Sequence, residues 1–98
     1  MNRNEAVSKL KEYAGAVKAR GATSLYLFGS TVRGEAMPDS DVDLFVDYDP
    51  EKKFSLVDLV DIKFLLEDAL GVAVDVTTRD SLHPMLRKNI EQSALRVF

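Results

Sequence analysis

Apolar residues recur at helical spacing through the first twenty positions. Ala6, Val7, Leu10, Tyr13, Ala14 and Val17 fall on one face of a 3.6-residue period. Asn2 followed by Glu5 has the form of a capping box, so the pattern predicts one helix from Asn4 to about Arg20, stopped at Gly21, with its stripe in the core. The period then shortens. Ser24 to Phe28 reads as a strand, closed by Gly29 after the apolar run Leu25-Tyr26-Leu27-Phe28, and Ser30 to about Arg33 reads as a short helix or turn. Glu35 to Ser40, with Met37-Pro38-Asp39-Ser40, is a connecting loop. Val42-Asp43-Leu44-Phe45-Val46 is a second strand. The polar stretch Asp47 to Lys53 follows it as a loop, in which Asp47 and Asp49 are expected to be solvated.

Ser55 is placed to cap a long helix that reaches Leu70 and stops at Gly71. Leu59, Ile62, Leu66 and Ala69 form one apolar stripe on it, and Val57, Val60 and Phe64 form a second, so the apolar surface is wider than one face packed on a sheet needs. All-round apolarity predicts deep burial; the alternative is a partner-binding face. Leu70 to Thr77 reads as a third strand. Ser81-Leu82-His83-Pro84 opens a last helix through about Gln92, and Ala94 to Phe98 adds an edge strand.

Ninety-eight residues, 46% hydrophobic and 30% charged, predict a single domain over 1–98 with a modest core. A net charge of −3 argues against loose binding to nucleic acid, which rests on Lys and Arg neutralising phosphates. The absence of cysteine excludes disulfides and thiol chemistry. No leader-like apolar segment opens the chain and no window resembles a membrane span, so a cytoplasmic location is expected, with no membrane partner.

The chemistry concentrates between Leu25 and Val46. Gly29-Ser30 sits where a strand gives way to a turn. Glycine allows close approach to backbone N–H groups and Ser30 adds a hydroxyl, which suits phosphate binding. Arg33-Gly34 adds a fixed cationic fork and a second permissive turn residue. In the next strand the two-residue alternation puts Asp41 and Asp43 on one face and Val42, Leu44 and Val46 on the other. Paired carboxylates repel unless a cation neutralises them, and an all-oxygen donor set selects Mg²⁺ or Mn²⁺. Asp75 is the lone acid of the third strand. If that strand pairs with the Asp43 strand at the usual spacing of about 4.8 Å, Asp75 can face the other two. A buried strand avoids acids unless they are paired or bind metal. Three carboxylates sharing two ions roughly 3.5–4 Å apart would form a clamp for phosphoryl or nucleotidyl transfer.

Gly29-Ser30, ten intervening residues, then Asp41-Val42-Asp43, with Arg33-Gly34 between and Asp75 on a later strand, resembles the DNA polymerase beta nucleotidyltransferase superfamily. So short a chain with GSTVRGEAMPDSDVDLFV resembles more narrowly the minimal nucleotidyltransferase (MNT) antitoxins of HEPN/MNT toxin–antitoxin pairs. The resemblance implies an α/β (α+β) fold, a small mixed β-sheet flanked by helices. It implies that Asp41 and Asp43 hold both ions, that Asp75 ligates the ion at the attacking hydroxyl and helps remove its proton, and that Gly29 and Ser30 bind the β- and γ-phosphates of ATP. The implied function is Mg²⁺-dependent transfer of AMP to a tyrosine of a HEPN ribonuclease toxin, within a hetero-oligomer. The rival is a non-catalytic antitoxin that masks the toxin by stoichiometric binding.

Arg33 suits two roles equally: contact with a phosphate, or pairing with a carboxylate such as Glu35 or Asp39. Ser40 is expected to cap a local turn rather than catalyse. His83, the sole histidine, precedes Pro84 at a helix start and is expected to cap or lie at the surface.

Overall fold

The computed structural model describes residues 1–35, 37 and 41–98. The N-terminal stripe folds as two helices, α1 (Arg3–Glu12) and α2 (Ala14–Ala19), where one was expected. The break falls at Tyr13, with φ −103° and ψ 9°, whose N–H donates to the Leu10 carbonyl three residues back at 3.1 Å. The break lets α1 pack on the long central helix while α2 packs on the first strand. The Asn2 cap forms as expected, its side chain accepting the Glu5 N–H at 2.8 Å.

Four strands follow: β1 (Ala22–Phe28), β2 (Val42–Tyr48), β3 (Val74–Thr78) and β4 (Leu95–Arg96). They form one mixed sheet in the order β3-β2-β1-β4, in which β1 runs antiparallel to β2 and β4, and β2 runs parallel to β3. Between β1 and β2 lies α3 (Ser30–Arg33). Between β2 and β3 lies α4 (Leu56–Leu70), where Ser55 and Asp58 make a reciprocal capping box and Gly71 ends the helix in the left-handed region. After β3 a 3₁₀ turn (Arg79–Ser81) leads to α5 (Pro84–Ser93), capped by His83, whose Nδ1 accepts the Met85 N–H at 3.2 Å.

Alternation gives the sheet two unlike faces. Leu25, Leu27, Val42, Leu44, Val46 and Val74 join Ala6, Leu10, Val17, Ile62, Leu66 and Leu70 in the core under the helices. The opposite face carries Tyr26, Phe28, Asp43, Phe45, Asp47 and Asp75. Phe45 is fully buried there, stacked on Tyr26 with centroids 4.7 Å apart and tilted against Phe28 at 5.8 Å.

Two further expectations fail. Deep burial of α4 is not observed: Leu56 is 73% exposed, Val57 68% and Phe64 61%, while Ile62, Leu66 and Leu70 are buried. The helix covers one face of a small sheet, and among the described residues no element lies over its outer side to bury the second stripe. Asp47 is not a solvated loop residue, because β2 continues two residues past Val46 and Asp47 is paired inside it. No helix among the described residues is long and apolar enough to cross a membrane.

Candidate active site

The site lies where β1 ends beside the start of β2. Gly29 leaves the strand with φ +79°, a left-handed value that costs any other residue strain. A side chain there would also meet Asp43: a Cβ would run into one carboxylate oxygen and lie 3.2 Å from Cγ. Phe28 stands opposite Asp43 in the β1–β2 register, so the carboxylate folds over the strand exit into the space that glycine leaves empty. The first helical turn that follows, at Ser30, Thr31 and Val32, has N–H groups with no intrahelical acceptor. Among the described residues the Ser30 hydroxyl makes no hydrogen bond, and Thr31 is buried as the anchor of the turn.

The parallel register of β2 with β3 sets Asp43 directly against Asp75. Asp41 lies just before β2 and is exposed. The Asp43 carboxyl is pushed above its ordinary value by burial first, then by the Asp75 and Asp41 charges, with Arg33 pulling the other way. Asp75 is exposed on an edge strand, not buried as expected, so water can solvate its charge there. Its register with Asp43 is what ties it to the site. The donor chemistry, carboxylate oxygens only, fits Mg²⁺ or Mn²⁺. Among the described residues no three acidic or imidazole side chains converge as they stand on a common point. Gathering the acids requires positive charge to offset their repulsion.

Arg33 donates from Nε to Glu35 at 3.1 Å, both side chains being largely exposed, so the Glu35 pairing is the one seen. Asp39 and Ser40 lie outside the described residues.

The sequence reading missed a second polar cluster at the other end of β2. Arg79 grips Asp47 with two hydrogen bonds, Nε to Oδ1 at 2.8 Å and Nη2 to Oδ2 at 3.0 Å, and donates to Glu91 at 2.8 Å. Its guanidinium lies over the rings of Tyr26 and Phe45, 4.8 and 5.0 Å from their centroids. Tyr48 donates to Asp80 at 2.8 Å, and a cavity of about 210 Å³ opens between these residues and Arg87. Nothing in the local spacing pairs Asp47 with a residue 32 positions away.

Residues 10–97 match the family described as nucleotidyltransferase domain. A Methanocaldococcus jannaschii protein, provisionally named a protein adenylyltransferase, is 41% identical over 78 residues, which is 80% of this chain and 82% of that protein. The protein adenylyltransferase MntA of Thermococcus cleftensis is 38% identical over 77 residues, 79% of this chain and 76% of its own. A solved structure described provisionally as a minimal nucleotidyltransferase superposes with a TM-score of 0.82 at 33% identity, covering 97% of this chain and 95% of that one. The fold is shared, at 17% identity and a TM-score of 0.68 over 98% of this chain and 71% of the other, with a chain of the complex between tri-AMPylated Shewanella oneidensis HEPN toxin and MNT antitoxin.

Proposed function

This chain belongs to the nucleotidyltransferase family, and from that premise we propose that it acts as an antitoxin, moving AMP from ATP to a tyrosine hydroxyl of a HEPN ribonuclease toxin. The observation that carries the reading is Asp43, seated against Gly29 at the strand exit and in register with Asp75. The name of the MntA relative and the AMPylated HEPN toxin in the solved complex support it.

In the reaction the tyrosine oxygen attacks the α-phosphorus of ATP, the bond from that phosphorus to the bridging oxygen breaks, and pyrophosphate leaves with the electron pair. Asp75 takes the hydroxyl proton. Gly29 and Ser30 hold the β- and γ-phosphates through backbone N–H groups and the Ser30 hydroxyl. Asp41, Asp43 and Asp75 would hold Mg²⁺, as two ions with Mn²⁺ an alternative, which supplies positive charge against the polyphosphate and the developing oxyanion. Arg33 leaves an exposed pair with Glu35 worth about 0–1 kcal/mol, so contact with a phosphate costs it little. AMP on the toxin adds bulk and negative charge where RNA phosphates must enter.

The test is the intact mass of the co-expressed toxin after incubation with catalytic amounts of this chain, ATP and Mg²⁺. A gain of whole AMP units, absent with Asp41→Asn/Asp43→Asn, is the expected result; an unchanged toxin mass overturns it. The exposed stripe of Leu56, Val57 and Phe64 favours a second reading, a stoichiometric mask. Under that reading the double variant still neutralises, at one copy per toxin bound.

A further inference from the structure

Asp75 sits on an edge strand, yet the backbone leading into it is held on both sides. On the inner side the Val42 N–H donates to the Ala73 carbonyl at 2.9 Å. On the outer side, where an edge strand normally presents free groups, two side chains of α4 close a ring around Val74. Glu67 Oε2 accepts the Val74 N–H at 3.0 Å, Lys63 Nζ donates to the Val74 carbonyl at 2.9 Å, and Nζ and Oε2 meet at 2.8 Å. The Val74 side chain is locked in the core. Both peptide planes flanking Val74 are therefore fixed, and the second of them carries the Asp75 nitrogen.

We propose that Lys63 and Glu67 are positioning residues for Asp75: they set the direction in which its carboxylate leaves the strand and so complete the acidic site across from Asp43. The proposal rests on the reading of Asp75 as a metal-holding acid. It gives α4 a second task besides packing. A helix whose inner face supports the sheet also clamps, from the side, the strand that lacks a neighbour. Glu67 is held below the usual carboxylate range by the Lys63 ammonium and the Val74 N–H, in keeping with a carboxylate that stays charged within this ring.

The experiment compares Glu67→Ala, Lys63→Met and Glu67→Gln with Asp75→Asn in the full chain. Two readouts do not depend on turnover: the affinity for Mn²⁺ alone, and hydrogen exchange at the Val74 amide. AMP transfer to the toxin is measured beside them. Asp75→Asn is expected to weaken Mn²⁺ binding and leave Val74 exchange unchanged. Glu67→Ala and Lys63→Met are expected to weaken Mn²⁺ binding about ten-fold or more, the scale of losing an outer-shell partner. Val74 exchange should accelerate in Glu67→Ala while exchange in β2 does not. Glu67→Gln, whose amide oxygen still accepts the Val74 N–H, should recover part of the affinity.

Wild-type Mn²⁺ affinity in Glu67→Ala and Lys63→Met, with Val74 exchange accelerated, would reduce the ring to an edge-strand support and overturn the proposal. Unchanged Val74 exchange would overturn it too. If the wild-type chain transfers no AMP but the Mn²⁺ pattern holds, the adenylyltransferase reading fails and the positioning role stands. If Asp75→Asn binds Mn²⁺ as tightly as wild type, the positioning role has no object and falls.

Discussion

One face of β2 carries two aspartates four residues apart, and the protein treats them in opposite ways. Asp47 receives a two-pronged grip from Arg79, which also takes Glu91 and lies over Tyr26 and Phe45. Asp43 receives Asp75 and Asp41 as neighbours, a glycine that makes room for it, and an opposing pull from Arg33 that is the smallest of these influences. Among the described residues nothing donates a hydrogen bond to the Asp43 carboxylate. The same strand thus shows that this fold can neutralise an acid when stability is the purpose. Leaving Asp43 among like charges lowers stability at that end, a local cost that the proposed binding of cations there would offset.

The contrast breaks most sharply under one substitution made at both ends. Asp43→Asn should reduce AMP transfer by more than the roughly 100-fold that losing an outer-shell partner costs. Its melting temperature at neutral pH without Mg²⁺ should equal or exceed that of wild type, since one repelling charge is gone. Asp47→Asn should do the reverse. It strips a charged partner from Arg79, at about 1.5–3 kcal/mol for a hydrogen-bonded charge, and lowers the melting temperature while transfer per folded molecule holds. Calorimetry and a transfer assay on the two variants decide it; the same sign of stability change at both positions would dissolve the distinction.

The pH dependence of stability separates the ends as well. Glu91 is held below its ordinary 4.5 by Arg79 first, and Asp80 below 3.8 by Thr78 and Tyr48, so each is a carboxylate favoured in the folded state. Their contribution is complete above about pH 4.5 and fades as the pH falls through their depressed folded values. Asp43 runs the other way: raised above 3.8, it contributes most below that pH and loses this as the pH rises through its folded value. Arg79→Met should remove the Glu91 share of the acid limb of a stability–pH curve, and Asp43→Asn should abolish the opposing loss and so steepen the rise with pH.

Gly29→Ala tests the room made for Asp43. The left-handed φ alone costs about 1–2 kcal/mol, and the methyl must displace the carboxylate, so transfer should fall together with stability. A variant that melts lower but transfers normally would show that Asp43 does not need its seat. The smallest effect belongs to Glu35→Gln, which frees Arg33 from an exposed pair: stability should change by less than about 0.5 kcal/mol, and the KM for ATP should hold or fall.

Much of this was legible in the chain. The strand ending at Gly29, the cap at Ser55, the stop at Gly71 and the histidine cap at His83 are local events, governed by a few adjacent residues, and each appears where its residues put it. That Asp43 and Asp75 stand on the face away from the core was legible, because the two-residue alternation of a strand assigns side chains to faces without knowledge of the neighbours, whereas Asp41 lies just before β2. What misled was inference from average environments. A helix apolar all round was expected to be buried, and an acidic run after a strand was expected to be solvated. Both rules assume a typical neighbour, and here the outer side of α4 is exposed at Leu56, Val57 and Phe64 while Asp47 has Arg79.

From the chain alone came the helical and extended stretches, several of their stops and the chemical types at the strand exit, since backbone preference and side-chain alternation act over a few residues; the break at Tyr13, the run of β2 past Val46 and the start of β3 at Val74 did not. Packing across the chain set the rest: Asp43 faces Asp75 and folds over Gly29, Arg79 reaches back 32 positions to Asp47, and Lys63 and Glu67 close around Val74. Those relations depend on strand order and register. Register follows from how the helices and the sheet share one core, a property of the whole chain that no short window contains.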